Sequence, residues 1–534
     1  MIAKPRCALL LLALAAFPVS AGPPVRAEED GASPRTLPAA FAAVPAHDCA
    51  FGGLADPDGA VLRREKARTT RLFAPAHPAA LATAAELPGI TGLRARIPHA
   101  SFIDDEVFAA LDAARVSPAP LSSDAEFLRR VTLDLTGRIP DATTASSFFA
   151  DVRPDKRARA IEQLLASDAF VDRWALYFDD LFRNTANADS GRLYAQGRNA
   201  FHAYFVAAIR GKKPYDAMAR EMITTLGDNT VTAAVNFKVR NIQSNGPPQD
   251  TYDNLASDVG RAFLGLNIFC TSCHNGRAHT DSINLYLSTV NRSDFWGMSA
   301  YFARGTIRRS GTVPGDYSYM VGERASGEYL LNTTTGNKSP RDGATWANGA
   351  SLVTPKYVLG GATPGPGEKY DAALARSLTA DPQFAKAAVN YVWKEMFTVG
   401  IVEPADSFDL LRQDPSDPPP DPWTVQPTHP ALLGRLASEF AATGFDLRAL
   451  LRLIANSSAY QLSSHYPGDW SDSYAPLLAR HFARRLRAEE VLDAVTLATG
   501  VPASLPVAQY TTPVAWAGQL PDTLEPGGAR NPYR

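Results

Sequence analysis

Apolar residues recur at three- and four-residue spacing along much of this chain from Ser101 onward, which predicts a series of amphipathic helices. Val107, Phe108 and Leu111 follow Asp104, a possible cap. Phe127, Leu128, Val131 and Leu135 follow Ser122, Ser123 and Asp124, with Gly137 placed to end that helix. Further helices are predicted from Pro154-Asp155 through Leu165, over 168–183, 199–210 and 215–226, and over 250–264, where Tyr252, Leu255, Val259 and Phe263 share a face. Another spans 293–303, with Phe295, Trp296 and Met298. From 305 to 368 the texture changes: Gly, Thr, Ser and Asn are frequent, and Tyr329-Leu330-Leu331 and Tyr357-Val358-Leu359 read as strands. Helical spacing returns at 370–378, 382–397, 430–442, 447–456 and 488–499. The fold class expected is mainly α, with two helical domains (101–304 and 369–534) joined by a small β-containing connector, 305–368.

The N-terminus follows a different pattern. Lys4 and Arg6 precede a short apolar run from Ala8 to Phe17, and Val19-Ser20-Ala21 supplies small residues before a cleavage point, the layout of a signal peptide over 1–21. The run is too short to span a bilayer, and no later stretch is long enough, so an exported protein, periplasmic or secreted, without a membrane span after cleavage is expected. Residues 22–100 are rich in Ala and Pro and weakly periodic.

Composition adds exclusions. The chain has 534 residues and a formal net charge of −2, so nothing points to a nucleic-acid partner. Of four cysteines, Cys7 lies in the leader and Cys49 stands alone, which rules out a disulfide framework. The other two form Cys270-Thr271-Ser272-Cys273-His274, the attachment pattern of a c-type haem. Two thiols can each add to a vinyl group of the haem, and an imidazole can reach the iron from the same side. At i, i+3 and i+4 on a helical turn these three side chains share a face. His274 is then the proximal ligand, and Met298 or His279 is the candidate sixth ligand. Zinc held with His274 or His279, and a structural or redox disulfide between Cys270 and Cys273, stay open as alternatives.

Other charged groups read as ordinary surface features. Arg130 with Asp134, and Asp179 with Arg183, have helix-face salt-bridge spacing. Arg173 reads as a surface residue, and Glu403, Asp406 and Asp409 read as solvated loop charge. No metalloprotease, nucleophile-elbow or phosphate-loop motif is present, and no reaction follows from the residues.

The runs Arg129-Arg130-Val131-Thr132-Leu133-Asp134-Leu135-Thr136-Gly137-Arg138-Ile139-Pro140, Arg173-Trp174-Ala175 and Lys213-Pro214-Tyr215-Asp216, ending at the Cys270–His274 motif, resemble the first of two paired domains in large secreted bacterial proteins. These are the domains of unknown function 1549 and 1553, associated with a planctomycete-type cytochrome c domain. Gly400-Ile401-Val402-Glu403-Pro404, Thr428-His429-Pro430 and Arg485-Leu486-Arg487-Ala488-Glu489-Glu490 resemble the second. The resemblance implies an exported, haem-binding protein with a secreted sulfatase-like partner protein; Cys49 has no second cysteine near it, which leaves one haem c at most, and the redox partner is unknown. The resemblance implies no particular reaction. Gly276 and Arg277 stand where that family has His and Pro. The leading functional expectation is an exported haem-binding protein in electron transfer or a redox subunit. The alternatives are a secreted binding or assembly module with a structural cysteine pair, or a polysaccharide-related hydrolase component.

Overall fold

The computed structural model describes residues 59–73, 97–188, 192–313, 316–338, 340–342 and 352–523. The leader, most of the Ala/Pro-rich segment and Cys49 lie outside the described residues. The helices before the connector are α1 (Ala60–Phe73), α2 (Phe102–Ala113), α3 (Asp124–Thr136), α4 (Ala142–Ala150), α5 (Lys156–Leu165), α6 (Asp168–Leu181), α7 (Ala195–Arg210), α8 (Tyr215–Thr224), α9 (Asn236–Val239), α10 (Pro248–Leu264), α11 (Leu285–Thr289) and α12 (Arg292–Ala300). After it come α13 (Tyr370–Ala380), α14 (Pro382–Phe397), α15 (Pro430–Ala442), α16 (Leu447–Asn456) and α17 (Ala488–Thr499). The protein is mainly α. No described helix is long and apolar enough to cross a membrane.

Local chemistry sets the helix ends. Ser101, rather than Asp104, caps α2: its Oγ accepts from the Ile103 amide at 3.2 Å, and Asp104 completes the capping box from inside the helix. Ser123 and Ser167 cap α3 and α6 in the same way. Gly137 and Gly265 end α3 and α10 in left-handed conformation, at φ 68° and 63°. Helix α4 was not expected from periodicity. Its sequence buries only Phe148, and Asp141 starts it by accepting from the Thr144 amide.

The connector contains one substantial hairpin. β4 (Gly305–Val313) pairs antiparallel with β5 (Asp316–Glu323), and the two-residue β3 (Gly227–Asp228) adds to the far edge of β5, giving the order β3-β5-β4. The other strand pairs are two residues long: β1 (Asn187–Ala188) with β2 (Arg192–Leu193), β6 (Tyr329–Leu330) with β9 (Leu352–Val353), and β7 (Asn332–Thr333) with β8 (Arg341–Asp342). Tyr357-Val358-Leu359, expected as a strand, instead enters a turn closed by Gly361 N–H to the Tyr357 carbonyl, with Gly360 and Gly361 at positive φ.

A single apolar core runs through both helical segments. Phe263 of α10 lies 5.3 Å from Phe182 and 6.2 Å from Phe384 of α14, and Tyr215 stacks on Phe384 at 5.2 Å. Polar ties cross the same seam. Asp104 accepts from the Ala459 amide at 2.8 Å, and Arg130 donates to the Tyr460 and Leu462 carbonyls.

Several charges expected on the surface are buried and paired over long range. Asp134 meets Arg484 and the Tyr460 hydroxyl, while Arg130 turns to Glu126. Asp179 binds His202 and Asn184, not Arg183. Arg173 is buried against Glu395 at 2.6 Å. Glu403 and Asp409 are almost fully buried: Glu403 accepts from the Gly400 amide and Lys394, and Asp409 from the Leu285 and Tyr286 amides. Loop backbone with unmet N–H groups draws carboxylates inward, and that demand is invisible to local spacing.

Candidate functional site

The chain reaches the cysteine motif by breaking its helix. After Gly265, the Leu266 amide returns to the Gly260 carbonyl at 2.9 Å and the chain folds back onto α10. Gly260 permits this approach, since a Cβ there would lie 2.9 Å from Ile268 Cγ1. Residues Ile268–Ser272 then form a separate 3-10 turn, so the motif is not a continuation of the preceding α-helix as its spacing suggested. Thr271 Oγ1 donates to the Ile268 carbonyl at 2.7 Å, and the Cys273 amide to the Cys270 carbonyl at 3.4 Å. The turn ends at Ser272, and Cys273 follows it as the capping residue, at φ −109°. Cys273 is in no disulfide, so the two cysteines are not bridged to each other.

The two cysteines have different surroundings. Cys270 is buried and faces a cavity of about 10 Å³ shared with Thr280, Asn284, Leu287 and Ser407. Cys273 is partly exposed, and its Sγ lies 3.6 Å from Ser272 Oγ. Two cations flank it. The fully buried Arg292 of α12 donates from Nε to the Ser272 carbonyl and from Nη1 to the Pro340 carbonyl, both at 2.9 Å, with its guanidinium 4.8 Å from the Trp296 ring. Burial pushes Arg292 down from its ordinary value, and Cys273 opposes that shift. Lys338 sits 4.0 Å over the Phe269 ring; burial lowers it, and Asp253 and then Cys273 pull it back. Sequence reasoning did not single out Arg292 or Lys338. Arg292 comes from α12, and Lys338 from the connector.

His274 is partly exposed, and its Nδ1 donates to the Asn275 carbonyl at 2.8 Å. That bond fixes the tautomer and leaves the Nε2 lone pair for a metal. His279 is exposed and stacks on His274, ring centroids 4.0 Å apart. Met298 lies fully buried on α12, among Phe295 and Trp296. The structure therefore brings His279, not Met298, against His274. Gly276 is a forced choice: a Cβ there would fall 1.7 Å from the Leu287 carbonyl oxygen, and the Gly276 amide donates to Val290.

As donors, these residues fit covalent haem: two unbridged thiols on one turn and an adjacent imidazole with Nε2 available. The buried side of the turn does not offer the room, because cofactor pockets run to about 300–1,000 Å³ and the cavity at Cys270 holds about 10 Å³. The open side is where Cys273 and His274 are partly exposed. Among the described residues, no group of three or more His, Cys, Asp or Glu is arranged to hold a metal ion.

Two family models match the chain. PSCyt2, a protein of unknown function (DUF1549), matches residues 102–306, and PSD1, a protein of unknown function (DUF1553), matches residues 372–509. The first match takes in α2 to α12 and the whole Cys270–His274 turn; the second begins in α13 and ends after α17. No curated protein and no solved structure matches the chain. With both models matched in order, the chain belongs to the family of proteins that pair a DUF1549 domain with a DUF1553 domain.

Proposed function

We propose that the chain is exported, that its leader over 1–21 is removed, and that Cys270, Cys273 and His274 attach one haem c, making it an electron-transfer protein or redox subunit. The observation that carries this reading is the motif turn: two cysteines not bridged to each other, followed by an imidazole whose Nδ1 is committed to the Asn275 carbonyl. In attachment, each S–H adds across a vinyl C=C, so no group is lost. The haem would supply one-electron chemistry. The chain's own residues hold it and tune its surroundings: His274 offers Nε2, and Arg292 and Lys338 place positive charge beside Cys273. His279 and Met298 are the proposed sources of a sixth ligand, and a redox partner and a sulfatase-like secreted partner are the proposed associates.

A second reading has specific support. Cys270 faces a water-sized cavity and Cys273 is partly exposed, which suits a dithiol–disulfide couple with one shielded and one accessible sulfur. A reduced-minus-oxidised visible spectrum separates the two. Protein matured with a haem-attachment system is expected to show c-type bands, lost in a Cys270→Ala/Cys273→Ala variant. A featureless spectrum with two titratable thiols that pair on oxidation overturns the haem reading in favour of the couple.

A further inference from the structure

Away from the motif, a cleft of about 540 Å³ opens where α3 meets the segment leading into α17. Its walls come from both family-matched segments: Arg129, Arg130 and Asp134 from the first, Thr398, Arg484 and Arg485 from the second. The carboxylates in it are already engaged. Glu126 accepts from Arg130, from Ser463 Oγ at 2.9 Å and from the Ser464 amide at 2.7 Å. Asp134 accepts from the Tyr460 hydroxyl at 2.8 Å and from Arg484, which also pairs with Glu490. Arg130 also donates from Nη1 to the Tyr460 and Leu462 carbonyls. Arg129 and Arg485 are exposed and have no ion-pair partner among the described residues. The cleft therefore carries uncompensated positive charge and no vacant carboxylate for a cation.

Thr398 adds an independent pointer. It is 7% exposed, it lines the cleft, and its buried Oγ1 has no hydrogen-bond partner. Buried hydroxyls are usually satisfied, so this one is an unmet hydrogen bond within the cleft wall. Thr398 also ends α14 in left-handed conformation, at φ 67°. A β-branched residue is a true outlier there, and such strain concentrates at binding sites. Leu133, Phe482 and Leu486 supply an apolar surface beside the charges.

We propose that this cleft binds an organic oxyanion, a carboxylate or sulfonate-like group on an apolar or ring-shaped body. Arg129 and Arg485 take the charge, the Thr398 hydroxyl hydrogen-bonds an oxygen, and the body lies on Leu133, Phe482 and Leu486. Calorimetric titration of the full chain at low salt with naphthoate, naphthalenesulfonate and uncharged naphthalenemethanol tests this. The anions are expected to bind saturably with Kd near or below ~1 mM. Arg129→Glu and Arg485→Glu are each expected to weaken binding about tenfold, the scale of one charge-assisted hydrogen bond. An Arg309→Glu control, on the exposed hairpin, is expected to bind as the parent does. Thr398→Gly suits the left-handed backbone, so it should keep the melting temperature while weakening the anions. The preferred probe tells whether a carboxylate or a sulfonate is the better match. The proposal is overturned if the neutral alcohol binds as well as the anions, if both arginine variants bind as the parent does, or if no probe saturates.

Discussion

Replacing Arg341 with Met removes the cation that pins the connector over the cysteine motif. Arg341 is fully buried, and its Nη2 lies 2.6 Å from both Asp250 Oδ1 and Asp253 Oδ2. The Tyr329 hydroxyl donates to Asp253 at 3.0 Å, and the Asn337 amide to Asp250 at 2.9 Å. Both carboxylates are themselves fully buried on α10, so the variant leaves two buried charges without their cation. Breaking one buried pair in this way costs about 3–5 kcal/mol. Arg341 anchors the β7–β8 pair of the connector, so the loss should appear first as local opening of 329–342. At about 1.4 kcal/mol per factor of ten, amide protection in that segment should fall by roughly two to three orders of magnitude. Burial already holds the Asp253 carboxyl above its ordinary value against the pull of Arg341. A carboxyl raised in the folded state withdraws stability as pH rises through its folded value, and without Arg341 that withdrawal grows. The defect should therefore be smaller near pH ~5 than near pH ~7.5. Because Lys338 and the Pro340 carbonyl that accepts from Arg292 both belong to this connector, the Cys273 thiol should also react faster with an aromatic disulfide reagent. Unchanged exchange in 329–342 and unchanged thiol reactivity in a folded variant would refute the claim that Arg341 holds this cover in place.

Two further perturbations test the packing around the site and the buried histidines. Gly276→Ala puts a methyl 1.7 Å from the Leu287 carbonyl, so the 274–290 loop must move; a lowered melting temperature and exchange gained there are expected, and a parent-like melt would contradict it. Burial pushes His429 down to about 4, with Nδ1 facing Thr428 Oγ1 and Nε2 unpartnered. A histidine depressed on folding contributes stability above its unfolded value that is lost as pH falls toward the folded one. Stability should thus decline from about pH 6.5 toward about 4, and His429→Phe should flatten that slope in pH-dependent melts.

What could be read from residues alone depended on how local the cause was. Helices α3, α6 and α10 all show apolar residues three and four apart, with a Ser cap on α3 and α6 and a closing glycine on α3 and α10, and all three are present. Each of these start or stop signals lies within a few residues of the helix end it sets. The motif's departure from α10 had a local signal too, in the left-handed Gly265, but the cysteine spacing matched a helical turn equally well. Long-range partners had no such trace. Asp134 chose Arg484 over Arg130, and Asp409 caps the Leu285 turn more than a hundred residues away. The same holds for Lys338: nothing near Cys273 in sequence announces that a connector residue will lie beside it. Helices were therefore readable and the charge network was not, because spacing reports a face and not what the face meets.

The central claim is that Cys270 and Cys273 carry a covalent haem. It is tested most directly by intact mass and the pyridine haemochrome spectrum of protein matured with a competent attachment system and then denatured. Thioether bonds survive unfolding, so the account predicts the mass of one haem on the chain and a c-type haemochrome, both absent when Cys270 and Cys273 are changed to Ala. An unmodified mass with no haemochrome would contradict it.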